Sequence, residues 1–465
     1  MKTVKTDIIP KRQQFAKIAA SHTLNYEAIC VFMATGFFLD QDCYYKDEVC
    51  LRPATNNVID KDGILVSSEP WFKWHYTPSN LSYEEVLMNF MSVFENVIDR
   101  QTTNQKVILP LSGGLDSRTQ AVALKHLKKD VTSYSYNFEN GYPETKLSQA
   151  IANVCNFPFK PFSITKHYLW NHIHELAEIN SCLAEFTHPR QMAVLDELRN
   201  LGDVFSLGHW GDVLFDAQTK NQLSLEEEVN LVLKKIVKPG GLELAIKLWQ
   251  SWNLEGEFED YLRSRVKSLL MDINIDNSSA KIRAFKSMYW APRWTTANLT
   301  IFEAAAPITL PYYSDEMCEF ICSVPEAYLA NRKLQIDYIK RRNIKLAKIT
   351  WHEHRPFNLN TYLYNRKPYN YPYRIFNKIK RIKNNLIGQA YVQRNWELQF
   401  LGTKNDTYLR KYLFENGLEV LVENEITKHF YKSFREKNSV KYSHTLSMLL
   451  TLSLWQSTFN GKNKT

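Results

Sequence analysis

The residues best equipped for chemistry are six in a row, Ser112-Gly113-Gly114-Leu115-Asp116-Ser117. They follow an apolar pentad, Val107-Ile108-Leu109-Pro110-Leu111, that reads as a short buried strand. Two glycines permit a tight turn that side chains would block. From Asp116 to about Leu127 the pattern reads as a helix opening with cap-type residues. A strand passing through a glycine turn into a helix N-terminus is an anion site, because free backbone N–H groups and the helix dipole converge on the ligand. Ser112 and Ser117 add hydroxyls, and Asp116 supplies a hard oxygen suited to Mg2+. The pattern is neither GxxxxGK[ST] nor GxGxxG. A second glycine turn, Gly208-His209-Trp210-Gly211-Asp212, brings another carboxylate at Asp212 and an imidazole at His209. An imidazole titrating near its ordinary ~6.5 suits proton transfer at neutral pH.

The elements around these turns alternate. A helix is expected from Ser82 to about Asp99, then strands at Val131–Phe138, Phe159–Ile164 and Asp203–Leu207. Helices are expected between them, at Pro143–Cys155, Lys166–Ile179 and Arg190–Leu201. Strand and helix at this spacing imply a parallel sheet wrapped by helices. In such sheets ligands sit beyond the C-terminal strand ends, so both glycine turns should open onto one crevice. Residues 1 to about 27 read as a polar leader, and the alternation from Tyr26 to Tyr76 as a small β-rich piece. From Leu223 onward the chain reads as mainly helical. The expected organisation is a β-rich region at 1–80, an α/β domain at 81–335 and a basic helical extension at 336–465.

With 465 residues, 44% of them hydrophobic and 13% aromatic, the chain can hold two or three ordered domains. Its N-terminus lacks the apolar run of a signal peptide. Seven cysteines show no CxxC spacing, which fits a reducing, cytoplasmic compartment. Cys318 and Cys322 are expected as core thiols. His167, His172 and His174 do not share one helical face and are expected to be solvated. The apolar stretch Thr445–Trp455 is about half the ~20 residues that span a bilayer, so it reads as a buried helix.

The net charge of +9 is local: residues 341–400 carry 13 Lys and Arg against 2 Glu. Within it, Ile375, Ile379, Ile382 and Leu386 recur at helical spacing with Arg374, Lys378, Arg381 and Lys383 between them. Through residues 370–390 this segment reads either as a contact for an anionic membrane or a polyanion, or as a surface helix under a solvated charge face.

The first turn resembles the SGGxDS pyrophosphate loop of the N-type ATP pyrophosphatases, which split ATP into AMP and pyrophosphate. The second resembles the GxGSDE or GxGGD loop of asparagine synthetases and their lactam-forming and lasso-cyclising relatives. Tyr134-Ser135-Tyr136-Asn137-Phe138 is similar to the family's adenine-side strand, and Glu144 with Ala150 to the helix after it. Pro311-Tyr312-Tyr313-Ser314-Asp315 is similar to its PFLD-type segment. Ala34-Thr35-Gly36-Phe37 and Tyr44-Tyr45-Lys46 with Leu51 and Pro53 resemble the tail of its glutaminase domain. The resemblance covers roughly residues 30 to 330.

It implies a doubly wound parallel α/β sheet of the ATP pyrophosphatase, HUP-like kind, with a β-rich N-terminal remnant and an α-helical C-terminal extension. It implies ATP and Mg2+ as cofactors and an acyl-adenylate made from a substrate carboxylate. Leu111, Ser112, Gly113, Gly114, Asp116, Ser117, Tyr136, Leu207 and Gly208 would bind ATP, and Asp116 with Asp212 the metal. His209 would serve as base for the attacking nitrogen. The family's late lysine has Arg355 and Lys367 as candidates. Full synthetases begin with a catalytic cysteine, whereas residue 2 here is Lys2 and about 110 residues precede the loop. Glutamine hydrolysis is therefore not expected, and nitrogen would come from ammonia, an amine or a partner glutaminase. Nucleic acid is not an expected partner. Two other readings are a tRNA-modifying pyrophosphatase sharing SGGxDS, and a non-catalytic synthetase-like subunit.

Overall fold

The structure is a computed structural model and describes residues 1–20, 22–386 and 391–460. In chain order its strands are β1 (Lys2–Lys5), β2 (Phe15–Lys17), β3 (Glu48–Cys50), β4 (Thr55–Ile59), β5 (Leu65–Pro70), β6 (Val107–Pro110), β7 (Val131–Phe138), β8 (Phe159–Ile164), β9 (Val204–Ser206) and β10 (Ile308–Thr309). The sheet that carries the glycine turns has the order β10-β9-β6-β7-β8, parallel throughout. Val107 and Ile108 sit between Val131 and Thr132 on one side and Val204 and Phe205 on the other. The chain runs outward from β6 through β7 to β8, then returns to the opposite side of β6 as β9. That reversal leaves a crevice beyond β6 and β9, and both turns begin there.

The helices that wrap this sheet follow from sequence. Helix α2 (Tyr83–Gln101) starts with a capping box between Ser82 and Glu85 and buries Val86, Leu87, Phe90, Phe94 and Ile98 along one stripe. Helices α3 (Asp116–His126), α4 (Thr145–Cys155) and α5 (Tyr168–Asn180) are the crossovers that right-handed parallel strands require. Between Arg190 and Leu201, one expected helix is replaced by a 3-10 turn at Arg190–Val194 and a single α-turn at Leu195–Leu198.

The N-terminal region differs from expectation in two ways. Residues 2–5 and 15–17 are strands rather than a polar leader, and β1 pairs antiparallel with β4. Tyr26–Thr35 is helix α1, where alternation suggested strand. Every residue from Ala28 to Thr35 is buried, so the helix shows no polar stripe to betray its period. It packs closely on the helix Gly241–Ser251: a β-carbon at Gly241 would lie 2.6 Å from the carbonyl of Ala34. One apolar core runs from Ile8 through the sheet to Trp455 and draws on all three expected regions. The seven cysteines are buried and unbridged, Cys318 and Cys322 among them. The C-terminal helix Ser439–Trp455 is buried as expected. Among the described residues, no helix is long and apolar enough to cross a membrane.

Candidate active site

The first turn is held from both sides. The Ser112 backbone N–H donates to Ser117 Oγ (3.1 Å), and the Gly114 N–H to Ser112 Oγ (3.2 Å). Ser148 Oγ on α4 donates to the Leu111 carbonyl (3.0 Å). Arg118 on α3 is fully buried and donates only to carbonyls: Ile349 (2.9 Å), Thr350 (2.9 Å), Gly113 (3.2 Å) and Leu346 (3.4 Å). Burial without a carboxylate pushes its guanidinium down to about 10. The segment 349–352 is thereby strapped over the turn, and the His352 N–H donates to Gly113 (3.0 Å). At Gly113 a β-carbon would come within 2.9 Å of both His352 Cβ and Leu147 Cδ1.

The second turn lies directly against the first. A β-carbon at Gly208 would sit 3.2 Å from Asp116 Cβ, and one at Gly211 would collide with Asp116 Oδ1 at 2.1 Å. Gln120 Nε2 on α3 holds the Leu207 carbonyl (2.8 Å), fixing the height of β9 against α3. Trp210 occupies the left-handed region at φ 72°, an uncommon conformation for a bulky residue and typical of constrained functional turns. Its indole N–H reaches Ser287 Oγ (3.4 Å) in a π-helical segment, Lys286–Thr295.

Charge is concentrated where the turns meet. Asp116 forms an ion pair with Arg332 and accepts from Gln335 Nε2 (3.1 Å), which also donates to the Tyr312 hydroxyl (2.9 Å). Burial, opposed by Arg332 and reinforced by the Asp212 carboxylate, pushes Asp116 up to about 6. Asp212 is exposed and has no hydrogen bond or ion pair among the described residues. Lys286 is 8% exposed, donates to Gln218 Oε1 and feels the charge of Asp212; burial pushes it down to about 8.

Beyond the turns lies a cavity of about 430 Å³. Leu111, Ser112, Gly114, Asp116, Ser117, Tyr136, Leu207, Gly208 and His209 line it, whereas Gly113 faces the strap behind. His209 meets the edge of Phe302 at 5.7 Å, and its buried Nδ1 has no partner among the described residues. Burial pushes its imidazole down to about 4, so it is neutral at physiological pH. Arg190 stands over the rings of Tyr136 (5.9 Å) and Phe138 (5.7 Å) and lines the same cavity with Glu144 and Glu353.

Arg355 lies outside the cavity lining, its Nη2 at 2.8 Å from His352 Nδ1 and its guanidinium 4.4 Å over Tyr142. Lys367 is exposed near the Tyr371 ring, outside the cavity lining. His167 and His174 contact Asn405 and Tyr412 on a neighbouring helix, and His172 pairs with Glu175. Arg190, Lys286 and Arg332 escaped the sequence reading because nothing in their spacing ties them to either turn, and Arg118, adjacent to the first turn, because its partners arrive only with the strap.

The two carboxylates fit a shared Mg2+. The charge of Asp212 raises Asp116, a repulsion that a dication would relieve, and Asp212, which lies outside the cavity lining, is exposed with oxygens to give. Among the described residues no cluster of three or more His, Cys, Asp or Glu could hold a metal alone. Mg2+ usually combines one or two carboxylates with substrate phosphates, which matches a pair beside an anion-binding turn.

Residues 90–216 match the family model described as asparagine synthase, a stretch running from within α2 through both turns. No curated protein matches the chain significantly. The matched stretch contains β6 to β9, the SGGLDS turn and the GHWGD turn, and residues 90–216 are accordingly a synthetase domain of the asparagine synthase family, whose members are ATP-dependent ligases.

Proposed function

We propose that the chain forms amide bonds by adenylating a substrate carboxylate and passing the acyl group to ammonia or an amine. The observation that carries this reading is that Gly208 and Gly211 of the second turn pack directly on Asp116, and that Asp116, Gly208 and His209 line one cavity at the ends of β6 and β9. Ser112, Gly114 and Ser117 would take the β- and γ-phosphates on N–H and hydroxyl groups, while Tyr136, Leu207 and Gly208 frame the adenosine. Asp116 and Asp212 would hold Mg2+, which compensates triphosphate charge when bound.

In the first step a carboxylate oxygen attacks the α-phosphorus and pyrophosphate leaves. The approach of one anion to another needs a cation, and Arg332, paired with Asp116, and Lys286, within reach of the charge of Asp212, are buried cations beside these carboxylates. In the second step the nitrogen attacks the acyl carbon and AMP departs. A neutral His209 presents a lone pair to accept the proton released. The nitrogen source is ammonia, an amine or the product of a separate glutaminase, and the product an asparagine-like, surface-polysaccharide or peptide amide.

ATP–pyrophosphate exchange across a panel of carboxylates tests this. The reading requires exchange that depends on one class of acid and is lost in Asp116→Ala. Exchange with no acid, or exchange surviving that substitution, would contradict it.

A further inference from the structure

The helix Tyr371–Leu386 stands out because, among the described residues, its apolar side is left largely exposed. Ile375 is 58% exposed, Phe376 65%, Ile379 61% and Ile382 49%. At ~100° per residue Tyr371, Ile375, Ile379 and Ile382 fall within an arc of about 80°, and Phe376 lies about 60° beyond it. The sequence 371–386 holds five cations, Arg374, Lys378, Lys380, Arg381 and Lys383, and no Asp or Glu. Arg374, Lys378, Lys380 and Lys383 are exposed and have no ion-pair partner among the described residues. The side chains of Arg381 and Leu386, and residues 387–390, lie outside the described set. Around the helix, Leu363, Tyr364 and Tyr369 are also exposed. An ordinary surface helix turns its apolar stripe inward; this one does not.

We propose that this helix docks the protein on an anionic lipid surface. Such an interface takes both features at once: aliphatic and aromatic side chains enter the headgroup–acyl boundary while lysines and arginines meet lipid phosphates. The tyrosine fringe suits the same boundary, where amphipathic rings settle. The alternatives use half of the evidence each. A nucleic acid would engage the cations without requiring four exposed apolar residues. A second copy of the chain would oppose two helices of like charge across the apolar seam.

Docking also has a consequence for the site. The segment leading into the helix is the strap over the first turn: Trp351 stacks on His354 (4.1 Å), and Asn365 reaches His354 (3.4 Å). Beyond the helix, Val392 bridges Gly141 and Tyr391 packs edge-on to Tyr142 (5.9 Å), the ring beneath Arg355. The two ends of the helix are therefore tied to the 351–354 segment, which contains Glu353 of the cavity lining, and to the Gly141–Tyr142 turn shortly before Glu144 of that lining. The inference does not depend on the ligase reading.

The test is flotation of the full chain with vesicles of phosphatidylcholine alone and of phosphatidylcholine with phosphatidylglycerol, at low and high salt. Two variants accompany it: the triple Ile375→Ser, Phe376→Ser, Ile379→Ser and the triple Lys378→Gln, Lys380→Gln, Lys383→Gln. Because these side chains are exposed, both variants should melt as the wild type does. The expected result is binding to anionic vesicles only, released by salt as screening shortens, and reduced at least tenfold in each variant. Three results would overturn the proposal: no binding to anionic vesicles, binding undiminished in the serine variant, or a wild-type dimer that the serine variant dissociates without any vesicle binding. RNA binding lost only in the glutamine variant, with no flotation, would assign the cations to a polyanion and overturn it equally.

Discussion

Gly211 faces the Asp116 carboxylate so closely that a β-carbon on it would stand 2.1 Å from Oδ1. The carboxylate cannot keep its place beside any other residue there. Gly211→Ala is expected to displace Asp116 from Arg332 and Gln335, at ~1–3 kcal/mol of stability, and to lower ATP–pyrophosphate exchange roughly 100-fold. Thermal melting and exchange rates measured together check this. Unchanged exchange would show that the close approach has no part in the reaction.

Lys286 is a nearly buried cation whose hydrogen-bond partner, Gln218, is neutral. Its folded pKa, about 8, lies below the unfolded value near 10.4. The folded state therefore resists the charge, fully so below pH 8, and the penalty is relieved as pH rises from about 8 to about 10.4. Lys286→Met should raise stability at pH 7 by ~2 kcal/mol and flatten its rise with pH across that window. The same substitution should increase the KM for the acid at least tenfold while leaving that for ATP unchanged, since the cation is assigned to the incoming carboxylate. Denaturant melts from pH 7 to 10 and exchange kinetics read the two effects separately.

His209 stays neutral because burial outweighs the pull of Asp212. Amide formation should accordingly show no inflection near 6.5 where an exposed histidine titrates. His209→Ala should retain exchange while amide product falls ~10²–10⁴-fold. Loss of exchange as well would assign this imidazole to nucleotide binding instead.

Arg118 joins α3 to the strap through the carbonyls of Ile349 and Thr350, and to the first turn through that of Gly113. Arg118→Met leaves those acceptors without their charged donor and should cost about 3 kcal/mol of stability. Because the strap backs the first turn at Gly113, the KM for ATP should rise in parallel. A variant that melts lower yet binds ATP normally would separate the strap from the site.

What could be read from the sequence is what is local along the chain. Ser112–Ser117 and Gly208–Asp212 each carry strand, turn and helix start within a dozen residues, so their type and the parallel sheet were legible together. Arg332 and Gln335 reach Asp116 from more than two hundred residues away, and no local pattern announces such a partner. Arg118 sat in plain view two residues after Asp116, but only the strap folding back gives it a purpose. Helix α1 was hidden because a helix buried on every side shows no 3.6-residue rhythm. At Tyr371–Leu386 the rhythm was legible and the orientation was not: sequence places Ile375, Ile379 and Ile382 on one face, and only the fold decides whether that face is covered.

The most direct measurement is calorimetric binding of Mg·ATP to the wild type, Asp116→Asn, Asp212→Asn and the double variant. If both carboxylates hold one ion, each single substitution weakens binding and the double is little worse than the weaker single. Losses that simply add, or an Asp212→Asn variant that binds Mg·ATP as the wild type does, would contradict a shared site.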